Sequence, residues 1–305
     1  MESQHHVHTI KEPATALFDF ESAARSHGWV ALRPFEWDEA RATLGRIHRL
    51  EQGQIVRLSM RDDSGEGAAG VQVEAESTEP LTASQEAEIR RIVRRMLRLD
   101  EDLANFYHLA AQQNGWTLNL KPGGGRLLRC PTLFEDIIYT LCTTNIAWSG
   151  TIRMVDRLTV KLGDAFPGRS DWRAFPTPAA IAAAGPEFLK QETGLGYRSS
   201  YVWELATGIV EGRYDLTVFE DPNLAPADLL KALRQIKGVG GYAAATILML
   251  LGRYEHLAID SELRAHVSRK YFEGQPVTDA QIQAIYEPWG HWRYLAYWFD
   301  APSSA

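Results

Sequence analysis

The sequence predicts an α+β protein, with an N-terminal antiparallel β-sheet domain followed by a mainly α-helical domain. Three observations carry this. Alternating, β-branched runs separated by polar turns fill the first 80 or so residues. From Ser84 the apolar period becomes helical, through Ile89, Val93, Met96 and Leu97 to Leu103, Phe106 and Tyr107. Further on, Gly238-Val239-Gly240-Gly241 interrupts two helical patterns and must be the turn between them.

In chain order, residues 1–12 are polar. They hold His5, His6 and His8 with no Cys or carboxylate cluster at ligand spacing, so a disordered tail without a signal-peptide core is expected. Residues 13–112 form the β-rich domain with a helical end. Its strands are expected at Leu17–Phe20, Trp29–Leu32, Gln54–Leu58 and Val71–Ala75, with a Gly-rich turn over Asp62–Gly70. Residues 113–126, with Pro122-Gly123-Gly124-Gly125, read as a flexible linker rather than a phosphate cradle, because no strand-loop-helix unit surrounds the glycines. Residues 127–305 form the α-helical domain. Its helices are expected at 131–147, 149–163, 178–184, 186–192, 198–212, 226–236, 241–252, 260–270, 278–286 and 290–298.

Composition narrows the partners. At 305 residues and 45% hydrophobic content the chain can bury more than one core. No apolar run approaches the roughly 20 residues that span a bilayer, so no membrane partner and a cytoplasmic, nucleoid-associated location are expected. Net charge is −7, yet residues 1–89 hold 8 Lys+Arg against 16 Asp+Glu and residues 90–305 hold 24 against 23, so the acidity is N-terminal. Two basic clusters, Arg90, Arg91, Arg94, Arg95 and Arg98, then Arg153, Arg157, Lys161, Arg169 and Arg173, read either as an anionic-partner footprint or as solvated helix faces. Cys130 and Cys142 sit beside apolar residues and are expected as buried thiols. Two cysteines cannot supply the four thiolates of an iron-sulfur cluster, so none is expected.

The glycine turn has its own chemistry. Glycine tolerates positive φ and exposes its amide, so the start of the second helix can present several N–H groups to an anion such as phosphate. Beyond that apolar helix, Asp260 stands among Leu257, Ala258 and Ile259. A carboxylate there is costly unless it is hydrogen-bonded or used.

Ile236-Lys237-Gly238-Val239-Gly240-Gly241-Tyr242 followed by Ala258-Ile259-Asp260 resembles the helix-hairpin-helix DNA glycosylase superfamily. The resemblance extends upstream to Leu127–Asp136, Leu141–Asn145, Phe175–Pro178 and Gly194–Val202, in the motif order of the 8-oxoguanine and alkylbase branches, and covers about residues 127 to 300. It implies a helix-hairpin-helix glycosylase domain acting on double-stranded DNA that holds a damaged base. Gly238, Gly240 and Gly241 would grip the backbone, and Asp260 would be the catalytic carboxylate, with capping of the next helix as its competing role.

Reaching a base inside a duplex requires flipping it out. The resemblance implies Asn145 as the plug filling the vacated space and Tyr197, with Arg198 beside it, as the wedge. A helix cap and a core aromatic are the ordinary alternatives for Asn145 and Tyr197. For the base pocket it implies Trp298, with Tyr294, Tyr242 and Trp148. Tyr294 and Trp298 occupy positions where the 8-oxoguanine branch carries a Gln and a Phe, so the amide expected to read a purine edge is missing. Electron-rich rings attract a cationic base by roughly 0.5–2 kcal/mol, which suits N3- or N7-alkylated purines. Such bases leave with little protonation, and a fixed carboxylate can stabilise the oxocarbenium character left on the sugar.

Tyr242 stands where bifunctional relatives carry the Schiff-base Lys. The expectation is therefore a monofunctional, monomeric 3-methyladenine glycosylase II type enzyme that leaves an abasic site and requires no cofactor. Lys237 replaces the Pro usual before Gly-Val-Gly. The resemblance also implies a monovalent or alkaline-earth cation held by the carbonyls of Arg234, Ile236 and Val239. The alternatives are a glycosylase for 8-oxoguanine or another lesion, and a non-catalytic helix-hairpin-helix DNA-binding protein.

Overall fold

The computed structural model describes residues 5–14, 17–63, 69–113 and 116–300. The chain forms two compact units, residues 1–101 with 122–216 and residues 102–121 with 217–305. Neither boundary coincides with those expected at 112 and 126.

In the first unit, β1 (His6–Pro13), α1 (Phe20–Ala24), β2 (Phe35–Asp38), β3 (Thr43–Arg49), β4 (Ile55–Asp62) and β5 (Gly70–Ser77) precede α2 (Ala83–Leu97). The strands form one antiparallel sheet in the order β1-β5-β4-β3-β2. Alternation in β4 and β5 turns Val56, Leu58, Met60, Val71, Val73 and Ala75 inward, all 0% exposed.

Three expectations change here. The disordered tail is instead an edge strand from His6 onward, paired with β5 from His6 opposite Ser77 to Pro13 opposite Gly70. Its β-branched residues suit an edge, Ile10 is buried, and the His8 ring hydrogen-bonds the Leu81 amide. The strand expected at Leu17–Phe20 leads instead into α1, which Asp19 caps by accepting the Ser22 amide at 2.6 Å. The strand expected at Trp29–Leu32 lies mostly in a 3₁₀ turn over Gly28–Ala31, where the Trp29 indole is buried and donates to Asp136. Most of the Asp62–Gly70 turn, residues 64–68, lies outside the described residues.

Helix α2 carries a capping box between Thr82 and Gln85 and buries Ile89, Ile92, Val93, Met96 and Leu97 at helical spacing. Its basic run is spent inside the unit. Arg90 and Arg94 pair with the buried Glu12, Arg91 with Glu51 and Arg95 with Asp136, while Arg98 is buried and donates to the Leu127 carbonyl. These arginines neutralise acids of the sheet, of a loop and of the helix that begins at Leu133.

Then α3 (Ala104–Gln112) belongs to the second unit, and α4 (Leu133–Thr143), α5 (Trp148–Leu162), the β6 (Ala165–Phe166) and β7 (Arg169–Arg173) hairpin, α6 (Pro178–Glu192) and α7 (Arg198–Val210) to the first. Gly185, at φ +78°, breaks α6 between the two helices expected there. Helix α4 meets the sheet through a buried ion pair, Arg46 Nη2 to Glu135 Oε2 at 2.7 Å, with both side chains 3% exposed or less.

The second unit continues with α8 (Pro226–Leu233), α9 (Gly241–Leu250), α10 (Ser261–Tyr271), α11 (Asp279–Tyr286) and α12 (Arg293–Asp300). Every residue of α9 from Ala243 to Leu250 is buried, so this helix is the centre of the unit. Phe106 and Trp116 pack on Trp289 at 5.8 and 5.2 Å between ring centroids, which explains why residues 102–121 belong with the C-terminal helices rather than with the sheet. No described helix is long and apolar enough to cross a membrane.

Candidate active site

In the second unit, α8 and α9 flank the glycine turn. Gly238 has φ +87°, a conformation that costs a side chain free energy and glycine almost none. The Val239 amide donates to the Ile236 carbonyl at 3.0 Å and Val239 is buried, which pins the turn. Gly240 is the N-cap of α9 and Gly241 its first residue. Both are exposed, no side chain caps the helix, and a Cβ on either would meet nothing within 4 Å. The positive end of a helix thus faces open space.

Asp260 is the N-cap of α10, its Oδ1 accepting the Leu263 amide at 2.8 Å. Capping and a fixed orientation are therefore one arrangement. Around it, Tyr294 and Trp298 stack at 6.4 Å and 19°, and Tyr297 stands edge-on to Trp298 at 6.5 Å and 83°. Tyr294 is 3% exposed, so it backs the wall, whereas Trp298 and Tyr242 keep partly exposed faces. Burial, and then the Asp260 and Tyr242 charges, push the Tyr297 phenol well above its ordinary range. Tyr294 rises too, by burial and then by Tyr242 and Tyr297, against a hydrogen bond with Thr246. A fixed carboxylate in a frame of phenols and indole can hold positive charge in its plane and a flat ring against its wall.

Asn145, Tyr197, Arg198 and Trp148 lie in the first unit. Helix α4 ends at Thr143, short of the expected 147, because Thr144 is extended and Asn145 takes φ +49°, which asparagine tolerates better than most residues. Asn145 is exposed, Tyr197 is 53% exposed, and a hydrogen bond with Thr144, together with one to Asn145 and the Arg198 charge, holds the Tyr197 phenol below its usual value. Arg198 is a correction. It is 4% exposed, its Nε donates to the Leu141 carbonyl at 3.1 Å and its Nη2 to the Thr144 carbonyl, so it braces the loop instead of reaching a ligand. Trp148, expected in the base pocket, opens α5 at 40% exposure with its ring over Gly28; a Cβ on Gly28 would lie 2.5 Å from that ring.

No family model matches the sequence. DNA-3-methyladenine glycosylase 2 of Escherichia coli K12 is 24% identical over 173 residues, 57% of this chain and 58% of that protein, so the match spans little more than half of this relative. The 3-methyladenine DNA-glycosylase of Archaeoglobus fulgidus superposes with a TM-score of 0.74 at 21% identity, covering 95% of this chain and 97% of that one. The apo 8-oxoguanine glycosylase/lyase of Clostridium acetobutylicum superposes at 0.61 with 17% identity, over 83% and 87%. The chain carries the fold of the helix-hairpin-helix DNA glycosylase superfamily.

Within the glycosylase fold, the carboxylate and the uncapped hairpin belong to one unit, and α9 joins the hairpin to the segment that carries Asp260. Sequence reading missed Tyr297 and Thr246. The signal for Tyr297 was its spacing, since Tyr294, Tyr297 and Trp298 share one face at i, i+3 and i+4. It also missed Ile146, which is 42% exposed beside Asn145 and packs over Gly150. Cys130 and Cys142 are both buried thiols, and burial pushes Cys142 up to about 12.

Proposed function

We propose that this protein is a monofunctional DNA glycosylase that flips a damaged purine, N3- or N7-alkylated, out of duplex DNA and hydrolyses its N-glycosidic bond to leave an abasic site. The observation that carries the reading is Asp260, fixed at a helix start beside Tyr297 and the stacked Tyr294–Trp298 pair. The Leu263 amide holds Oδ1, so Oδ2 faces the sugar as oxocarbenium character develops and orients the attacking water. Trp298 and Tyr242 offer ring faces to the cationic base. The α9 N-terminus takes a backbone phosphate at Gly240 and Gly241. Asn145, Ile146 and Tyr197 enter the vacated stack. The alkylated-purine reading is supported by the Escherichia coli relative, a 3-methyladenine glycosylase by name, and by the packed rings of Tyr294, Tyr297 and Trp298 near Asp260.

Tyr242 has no amine to form a Schiff base, so strand cleavage is not part of this activity. The carbonyls of Arg234, Ile236 and Val239 suit a monovalent or alkaline-earth cation: they are hard oxygen donors, and the Ile236 oxygen keeps a lone pair after accepting the Val239 amide. Such a cation would add positive charge where the phosphate docks. The protein acts as a monomer on double-stranded DNA.

The test is base release from methylated duplex, with the freed bases identified by mass. Release of 3-methyladenine or 7-methylguanine supports the reading, whereas release of 8-oxoguanine alone from oxidised duplex moves the specificity to the alternative. Binding without release of any base, by wild type and Asp260→Asn alike, leaves a DNA-binding module.

A further inference from the structure

At the far end of α10 from Asp260, the second unit holds an open depression of about 360 Å³. Asp260 caps one end of that helix and Arg269 and Lys270 stand in its last turn, roughly 15 Å away at 1.5 Å per residue. The depression thus opens at the other end of α10, where the His266 ring in its lining lies 6.2 Å from Tyr297 of the aromatic wall.

Its lining is asymmetric in charge. Arg269, Lys270 and His266 come from α10, and Thr117, Asn119 and Phe299 from the segments beside it. The Asn119 amide donates to the Phe299 carbonyl at 2.7 Å, which fixes these two segments to each other. Asp300 also lines the depression, yet its side chain is fully buried and saturated with donors. His266 lies 2.7 Å from Oδ2, Tyr271 and Tyr286 donate to the same oxygen at 2.9 and 3.0 Å, and Lys270 pairs with Oδ1. That carboxylate is neutralised from within. Arg269 is exposed and has no hydrogen-bond or ion-pair partner among the described residues, unlike its neighbours Arg264, paired with Asp279, and Lys270. The wall thus presents an uncommitted guanidinium, whose fork matches phosphate oxygens, next to an amide, a hydroxyl and one aromatic ring.

We propose that this depression is a second binding site, for a phosphate group, independent of the glycosylase reading. Its volume exceeds one phosphate and falls within the range of small-ligand sites, and Phe299 supplies an apolar face, so a phosphorylated small molecule of nucleotide size fits it. The same chemistry would take a phosphate of a DNA backbone.

The full chain is titrated calorimetrically with inorganic phosphate and with deoxyadenosine monophosphate, and its affinity for undamaged duplex is followed against salt. Arg269→Ala is compared throughout, with circular dichroism melts to show that the fold is kept. Saturable binding of phosphate or the nucleotide that weakens at least tenfold in Arg269→Ala, with an unchanged salt slope for duplex, assigns the site to a free ligand. A salt slope smaller by about one in the variant assigns it to a DNA phosphate. Equal binding by wild type and variant in both arms, or none of the small anions bound and an unchanged slope, overturns the proposal.

Discussion

Arg198 donates from Nε to the Leu141 carbonyl at 3.1 Å and so closes the last turn of α4, from which Asn145 emerges. A residue expected at the DNA instead holds the backbone just before Asn145. Arg198→Ala leaves the Leu141 and Thr144 carbonyls without these donors and should cost about 1–3 kcal/mol of stability. It should also weaken duplex binding through the loop. Arg198→Lys should not restore either, since one ammonium cannot span both carbonyls. Thermal melts and binding titrations check this; a melt unchanged in Arg198→Ala would contradict the bracing role.

Asp260→Asn should keep the cap, because Asn and Asp serve nearly equally there, so the melting temperature should move little. Base release should fall by about two orders of magnitude or more if the charge stabilises the transition state. Asp260→Ala should lose both activity and about 1 kcal/mol of stability. Equal losses of stability in the two variants would mean that capping is not what holds this side chain.

Two of the hairpin glycines, Gly238 and Gly240, should separate by role. Gly238→Ala forces a side chain into φ +87° and should destabilise by about 1 kcal/mol. Gly240→Ala, at φ −82° with open space around it, should leave the melt unchanged yet weaken duplex binding by crowding the phosphate. Denaturation and salt-dependent binding of the two variants distinguish them.

Glu135→Gln strips the partner from Arg46 where both are out of water. The cost should be about 3–5 kcal/mol, far above that of an exposed pair such as Lys161–Glu192. Urea unfolding of the two single variants, Glu135→Gln and Glu192→Gln, measures the contrast.

Burial lowers the His27 imidazole to about 4 against the hydrogen bond between its Nε2 and the Leu128 carbonyl. The folded state then binds this proton less readily than the unfolded chain, whose imidazole titrates near 6.5. The neutral ring's contribution is intact above pH 6.5 and is lost as pH falls from there through 4. Melting temperatures across that window should fall on acidification, and His27→Gln should flatten the slope.

What could be read from sequence was local structure tied to spacing, the turn at the hairpin and the helix start at Asp260. The hairpin glycines and Asp260 are legible because a break in helical period and a charge in an apolar stretch are both visible without a partner. Asn145 came only from the resemblance, and its positive φ, which follows the end of α4 at Thr143 rather than at 147, left no mark in the apolar period. Arg198 was misread because its burial is made by carbonyls of α4, over 50 residues away in the chain. The basic run of α2 hid its role in the same way, since Glu12 and Asp136 come from distant segments. Strand β1 escaped because His and Lys interrupt it and its pairing with β5 is non-local.

The second unit is assembled from two stretches of chain separated by residues 122–216. During synthesis, Phe106 and Trp116 leave the ribosome long before Trp289, the ring they pack against, has been made. Until then those aromatic faces stay wet, while most of the first unit can already close around its own sheet. The nascent protein therefore passes through a stage with a finished half and a sticky, unfinished one, the kind of intermediate that chaperones meet.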